Sequence, residues 1–126
     1  MDAIVNQAAK WSYMFGGRAS VPVTIRGIVN RGGEQGAQHS QSLHSWFAHI
    51  PGLRVVMPSS VADARDLLIA SVLCPDPVVF IDDRWLYNQS AVLPPVSELV
   101  LSQQVPHVLT RGSDMTIVAS SYSTYL

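Results

Sequence analysis

Apolar side chains along this chain change spacing several times, and the changes divide it into elements. Ile4, Val5, Ala8, Trp11 and Met14 recur mostly at steps of three and four, the repeat of a helix with one buried stripe. Asp2 stands where an N-cap belongs, and Gly16-Gly17 supply the left-handed backbone that ends helices. Residues 21–25, rich in β-branched side chains, predict a strand starting near Pro22, and residues 27–38, glycine and polar, predict a loop. Ser40 or Ser42 then opens a short helix through Trp46 and Phe47, stopped by Pro51-Gly52. Residues 53–57 are a second strand. Ser60 is the cap of a further helix, with Asp63 in the first turn, where the helix dipole is positive. Ala64, Leu67, Leu68, Ser71 and Val72 form its expected buried face, and Pro75 and Pro77 bracket its end. Val78-Val79-Phe80-Ile81 is a third strand, apolar on both faces.

Strands with almost unbroken apolar runs, alternating with helices, specify a parallel sheet covered on both sides, an α/β layer fold. Beyond Asp82 the pattern changes. Residues 88–104, with Asn88-Gln89-Ser90 and Pro94-Pro95, read as a linker. Residues 105–109 and 115–119 then predict two strands joined by the turn-forming Arg111-Gly112-Ser113-Asp114. The predicted organisation is one partial α/β domain over 1–87, the linker, and the opening of a second α/β domain over 105–126.

Composition alters this picture in one respect. Charged residues make up only 13% of the chain, against roughly 25% in a typical domain, so much of its surface is expected to lie against other chains. The net charge of −1 leaves no basic stripe for nucleic acid. No apolar run approaches the ~20 residues of a membrane helix, and no signal peptide is visible at Met1. A single cysteine, Cys74, excludes an internal disulfide and fits a reducing compartment.

Candidate chemistry is sparse. His39, His44 and His49 follow one another at steps of five, which turn successive side chains by ~140° on a helix, so a helical arrangement of the three does not converge on zinc. Gly32-Gly33 and Gly36 match neither phosphate-loop spacing and read as a loop that needs positive φ. Cys74, beside prolines with no base near it in sequence, reads as a structural thiol. Asp82-Asp83-Arg84 places carboxylates at the carboxyl end of a parallel strand, where such sheets bind ligands, or else forms an ion pair with Arg84. His39 closes the glycine-containing loop at a helix start, and histidine titrates near neutrality, which makes it the candidate acid or base.

Several blocks in register carry a family resemblance. They are Gly36-Ala37-Gln38-His39-Ser40-Gln41-Ser42, then Phe47-Ala48-His49-Ile50-Pro51-Gly52-Leu53-Arg54-Val55-Val56-Met57-Pro58, then Asp63-Ala64-Arg65-Asp66-Leu67-Leu68, Asp76-Pro77-Val78-Val79 and Leu86-Tyr87. Together with Gly112-Ser113-Asp114-Met115-Thr116-Ile117-Val118, these blocks resemble beta subunits of the decarboxylating components of pyruvate, branched-chain 2-oxoacid and acetoin dehydrogenases. Those proteins belong to the transketolase-like pyrimidine-binding superfamily.

The resemblance implies oxidative decarboxylation of a 2-oxoacid with acyl transfer to lipoamide. It implies thiamine diphosphate shared with an alpha subunit that holds the diphosphate and magnesium, a second beta subunit, and a lipoyl-bearing acyltransferase as partners. It places Gln38 and His39 at the cofactor, with His39 as the active-site histidine. It also implies a potassium site built from the backbone carbonyls of Val23, Ser71, Val72, Cys74 and Asp76, although Leu73-Cys74-Pro75-Asp76 departs from the family's polar run. The family's upstream glutamate, which hydrogen-bonds the aminopyrimidine, would precede Met1, so the chain reads as an incomplete piece that is inactive alone. Arg31, Glu34 and Asp82-Asp83-Arg84-Trp85 also depart from the family pattern. The expected location is the cytoplasm of a bacterium or the mitochondrial matrix. Two alternatives are a transketolase-like transferase acting on sugars, for which Arg26, Arg31, Arg54 and Arg84 are the candidate phosphate ligands, and a truncated, non-catalytic assembly module.

Overall fold

A computed structural model describes residues 1–30 and 35–126. The glycine pair Gly32-Gly33, with Arg31 and Glu34, lies outside the described residues. Three strands make one parallel sheet: β1 (Thr24–Val29), β2 (Arg54–Val56) and β3 (Val78–Asp83), in the order β1-β3-β2. The parallel α/β arrangement expected from the apolar runs is present. Register is set by Thr24 opposite Val78 on one side of β3 and Arg54 opposite Val78 on the other.

The apolar run 78–81 becomes the middle strand, and all six residues of β3 are buried. Alternation sends Val78 and Phe80 to one face, with Val56, Cys74 and, from the helix α3 (Val61–Val72), Leu67 and Leu68. Val79 and Ile81 point the other way, with Val29, Val55 and Phe47 of the short helix α2 (His44–Ala48). Burying one such side chain stabilises by about 1.5–3 kcal/mol, so this single strand carries much of the core. Arg54 donates through Nε (2.9 Å) and Nη2 (2.6 Å) to Asp76 Oδ2, and its backbone amide donates to the Pro77 carbonyl, which ties β2 to the entrance of β3.

The strand at 21–25 shifts forward to β1. Proline cannot donate to a ladder, so pairing begins past Pro22, and it runs through Gly27 because Ile81 lies opposite. Partner supply from β3 outweighs the low strand preference of glycine. In α3 the predicted cap is present, with the Asp63 amide donating to Ser60 Oγ at 3.0 Å. Of its expected buried face, Leu67 and Leu68 pack on the core and Ser71 is buried, joined by Asp66 and Ala70, whereas Val72 is exposed at the last turn.

Two other predicted caps differ. Asp2 is itself helical, and its carboxylate accepts the Asn6 and Gln7 side-chain amides instead of a backbone N–H. Neither Ser40 nor Ser42 caps α2; Ser40 Oγ donates to the Gly36 carbonyl and Ser42 Oγ bonds His44 Nδ1. The amino-terminal helix is a wide π-type turn, Ala3–Ala8, that runs into α1 (Ala9–Met14) and ends as expected at Gly16 and Gly17, both with positive φ. It meets the Pro51-Gly52 turn closely. Gly52 has φ +96°, and a Cβ there would stand 1.8 Å from the Ala9 carbonyl oxygen.

Beyond the short helical turn Arg84–Asn88 the chain has little regular secondary structure apart from the turns Leu101–Gln103 and Ser121–Thr124. Arg65 donates to the carbonyls of Pro94 and Pro95, which fastens this segment to α3, and Leu101 packs under the same helix. The strands expected at 105–109 and 115–119 are not formed. Their apolar residues are exposed, and among the described residues no neighbouring strand supplies the ladder that a strand requires.

Candidate functional site

At the carboxyl end of β1 the chain leaves the sheet at Asn30 and returns through the turn Ala37–His39. The Asn30 amide donates to the His39 carbonyl at 3.0 Å, which pins the end of the loop beside the end of the strand. Gly36 takes φ +71°, the conformation anticipated for a loop glycine, just before that turn. A cleft of about 420 Å³ opens here. It is lined by Arg26 and Ile28 of β1, by Asn30 just past it, and by Gln35, Gln38, His39, Gln41 and Leu43. Gln38 and His39 therefore share one cleft. The location is the one ligands occupy in parallel sheets, outside the carboxyl ends of the strands.

The remaining predicted site residues are spread through the fold. His44 is engaged with Ser42, and His49 is exposed at the end of α2. Among the described residues no group of three His, Cys, Asp or Glu side chains gathers around a metal-sized space. Cys74 is buried in the core beside Val78 and Phe80. The five carbonyl positions lie in segments that do meet: the Val78 amide donates to the Val23 carbonyl at 2.9 Å. The Ser71 carbonyl accepts both Thr24 Oγ1 (2.9 Å) and the Cys74 amide (3.2 Å).

Asp82 joins a cluster that the linear sequence concealed. Arg26 Nη2 donates to Asp82 Oδ2 at 2.6 Å and to the Tyr87 hydroxyl at 2.5 Å, and that hydroxyl donates onward to Asp82 Oδ2 at 2.8 Å. Asp82 is thus held by Arg26, fifty-six residues away, rather than by Arg84. The hydrogen bond to Asp82 raises the Arg26 pKa above its ordinary value. Burial, and then the Asp82 carboxylate, push the Tyr87 phenol above its usual range and keep it a donor. Asp82 Oδ1 is buried and accepts no hydrogen bond from the described residues. Asp83 caps the following turn through the Trp85 amide, and Arg84 Nη1 donates to Asn30 Oδ1, so the start of the loop is anchored to the residue that follows β3. The only sequence signal for the cluster was a carboxylate at the carboxyl end of an apolar strand.

Residues 1–89 match the family described as the transketolase, pyrimidine binding domain. The chain belongs to that family. Among curated proteins, the chain is 41% identical over 119 residues to the pyruvate dehydrogenase E1 component subunit beta of Rhizobium meliloti, an alignment covering 94% of the chain and 26% of the relative. It is 41% identical over 118 residues to the acetoin:2,6-dichlorophenolindophenol oxidoreductase subunit beta of Bacillus subtilis, covering 94% and 34%. It is 39% identical over 118 residues to the mitochondrial 2-oxoisovalerate dehydrogenase subunit beta 2 of Arabidopsis thaliana, covering 93% and 33%. The chain thus spans a quarter to a third of the length of these relatives. Within the domain, the matched region takes in the whole sheet and the cleft. Among the described residues no helix is long and apolar enough to cross a membrane.

Proposed function

We propose that this domain forms the beta-side wall of a thiamine-diphosphate site in a 2-oxoacid dehydrogenase, with Gln38 and His39 facing the cofactor. The observation that carries the reading is that Gln38 and His39 share a cleft at the carboxyl end of β1 in a chain about 40% identical to such beta subunits over nearly its whole length. The lining suits a neutral aminopyrimidine: side-chain amides of Gln38, Gln41 and Asn30 offer donors and acceptors, and Ile28 and Leu43 offer apolar contact. The chemistry that thiamine diphosphate supplies when bound is a nucleophilic carbon and an electron sink for decarboxylation. His39, exposed at the cleft, acts as the proton donor or acceptor during acyl transfer to lipoamide.

An alpha subunit supplies the diphosphate and magnesium contacts, a second beta subunit covers part of the exposed apolar surface, and a lipoyl-bearing acyltransferase takes the acyl group. Residues 105–126 open a second domain whose strands pair within the larger protein, in a bacterial cytoplasm or mitochondrial matrix. A potassium ion at the carbonyls of Val23, Ser71, Val72, Cys74 and Asp76 completes the reading, and Ser71, whose oxygen already takes two hydrogen bonds, would release one to join it.

The test is His39→Ala in the assembled enzyme. Acyl transfer to lipoamide is expected to fall ~10²-fold or more, with cofactor affinity little changed. Turnover within a few-fold of the parent enzyme would make His39 a structural residue and remove the central support for the reading.

A further inference from the structure

We propose that Arg84 and Asn30 are positioning residues for His39: Arg84 grips the Asn30 side chain, and Asn30 holds the turn that carries the histidine. The inference rests on the catalytic reading of His39 above and names what fixes that residue in the cleft.

His39 starts from a weak position. It is exposed, and it ends the three-residue turn Ala37–His39. One helical turn fixes several backbone dihedrals for very few hydrogen bonds, so it does not hold itself. A proton donor or acceptor must stand roughly 2.6–3.2 Å from its reacting partner, and a displacement of ~1 Å costs up to ~10²-fold in rate. The turn therefore needs an outside anchor.

Asn30 supplies it. It is the first residue past β1 and only 6% exposed. A buried amide is satisfied by hydrogen bonds, and those of Asn30 run to separate segments. Its backbone N–H donates to the His39 carbonyl at 3.0 Å and its Nδ2 donates to Gln35 Oε1 at 3.2 Å, both on the returning chain. Its Oδ1 accepts from Arg84 Nη1 at 3.1 Å, which ties the same residue to the sheet body. Register explains that last bond. β1 and β3 pair as far as Val29 opposite Asp83, so the next residues, Asn30 and Arg84, emerge side by side. Arg84 stands on a fixed base, because Asp83 Oδ1 accepts the Trp85 amide at 3.1 Å and Leu86 is buried. A guanidinium stays charged at any working pH and makes a stronger donor than a neutral group. Arg84 is not among the described residues that line the cleft, so it acts on the placement of His39 and not on ligand contact.

The experiment is Arg84→Met in the assembled enzyme, with acyl transfer from pyruvate to lipoamide and thiamine-diphosphate affinity measured separately. The Arg84 side chain is exposed, so the variant is expected to fold. The transfer rate should fall about tenfold, with cofactor affinity and the KM for pyruvate little changed. Arg84→Lys, which keeps a charged donor, should recover most of the rate. Hydrogen exchange at the Asn30 amide, which reports its bond to the His39 carbonyl, should quicken in Arg84→Met and stay slow in Arg84→Lys. The decisive arm is the His39→Ala background, where Arg84→Met should cost no further rate, because residues that act as one unit are not additive. A parental rate in Arg84→Met, or the same tenfold loss repeated on top of His39→Ala, overturns the proposal. A harmless His39→Ala would sink the catalytic reading and this assignment with it. A damaging His39→Ala beside a harmless Arg84→Met would sink this assignment alone.

Discussion

Residues 78–81 and 115–118 are written in much the same alphabet, Val-Val-Phe-Ile against Met-Thr-Ile-Val, and they end in opposite places. The first lies in the middle strand, buried on both faces and paired on both edges. In the second, Met115, Ile117 and Val118 are among the most exposed apolar residues of the chain. Intrinsic preference for extended backbone is similar in the two, so it does not decide between them. Val78–Asp83 has β1 and β2 as neighbours and a helix over each face, whereas the later segment has no strand beside it among the described residues. β-branched content is a statement about fitting a half-buried pleated surface, and without that surface it yields no strand.

The comparison can be broken most directly by removing one large side chain from each region. Phe80→Ala should cost about 3–5 kcal/mol, since Phe80 is 1% exposed in the core. Ile117→Ala, at 81% exposure, should stay within about 0.5 kcal/mol. Equal losses in urea denaturation would show that residues 115–118 are packed and that the contrast is false.

A smaller effect tests the backbone. Gly52→Ala needs a positive φ and drives a methyl group into the Ala9 carbonyl, so α1 must lift from the turn, at a cost of about 3 kcal/mol. Gly112→Ala meets nothing within 4 Å and should be silent in the same melt. A silent Gly52→Ala would mean that the amino-terminal helix does not dock on the sheet body.

The smallest expected effect concerns caps. Ser60→Ala removes the acceptor for the Asp63 amide and should lower stability by about 1 kcal/mol. Ser120→Ala strips a comparable cap from the four-residue turn Ser121–Thr124 and should change it by less than half as much, because a cap counts only through the element it closes. Hydrogen exchange at the Asp63 amide offers an independent check, with protection lost in Ser60→Ala alone.

Local signals were legible where the deciding interaction spans a few residues. Ser60 announced the cap of α3, Gly16 and Gly17 the end of α1, and the unbroken run at 78–81 a central parallel strand, because hydrogen bonds, φ preferences and two-sided burial leave marks in adjacent positions. Gln38 and His39 were singled out by the blocks around them as candidates, and both line one cleft. What only tertiary structure decided depends on partners far apart in sequence. Gly27 became strand because Ile81 lies across from it, and Asp82 turned away from its neighbour Arg84 to meet Arg26. Residues 105–109 and 115–119 stayed unpaired although their composition suits a strand. A ladder, an ion pair and a buried face each need a second surface. No spacing of residues along one segment can reveal whether that surface will arrive.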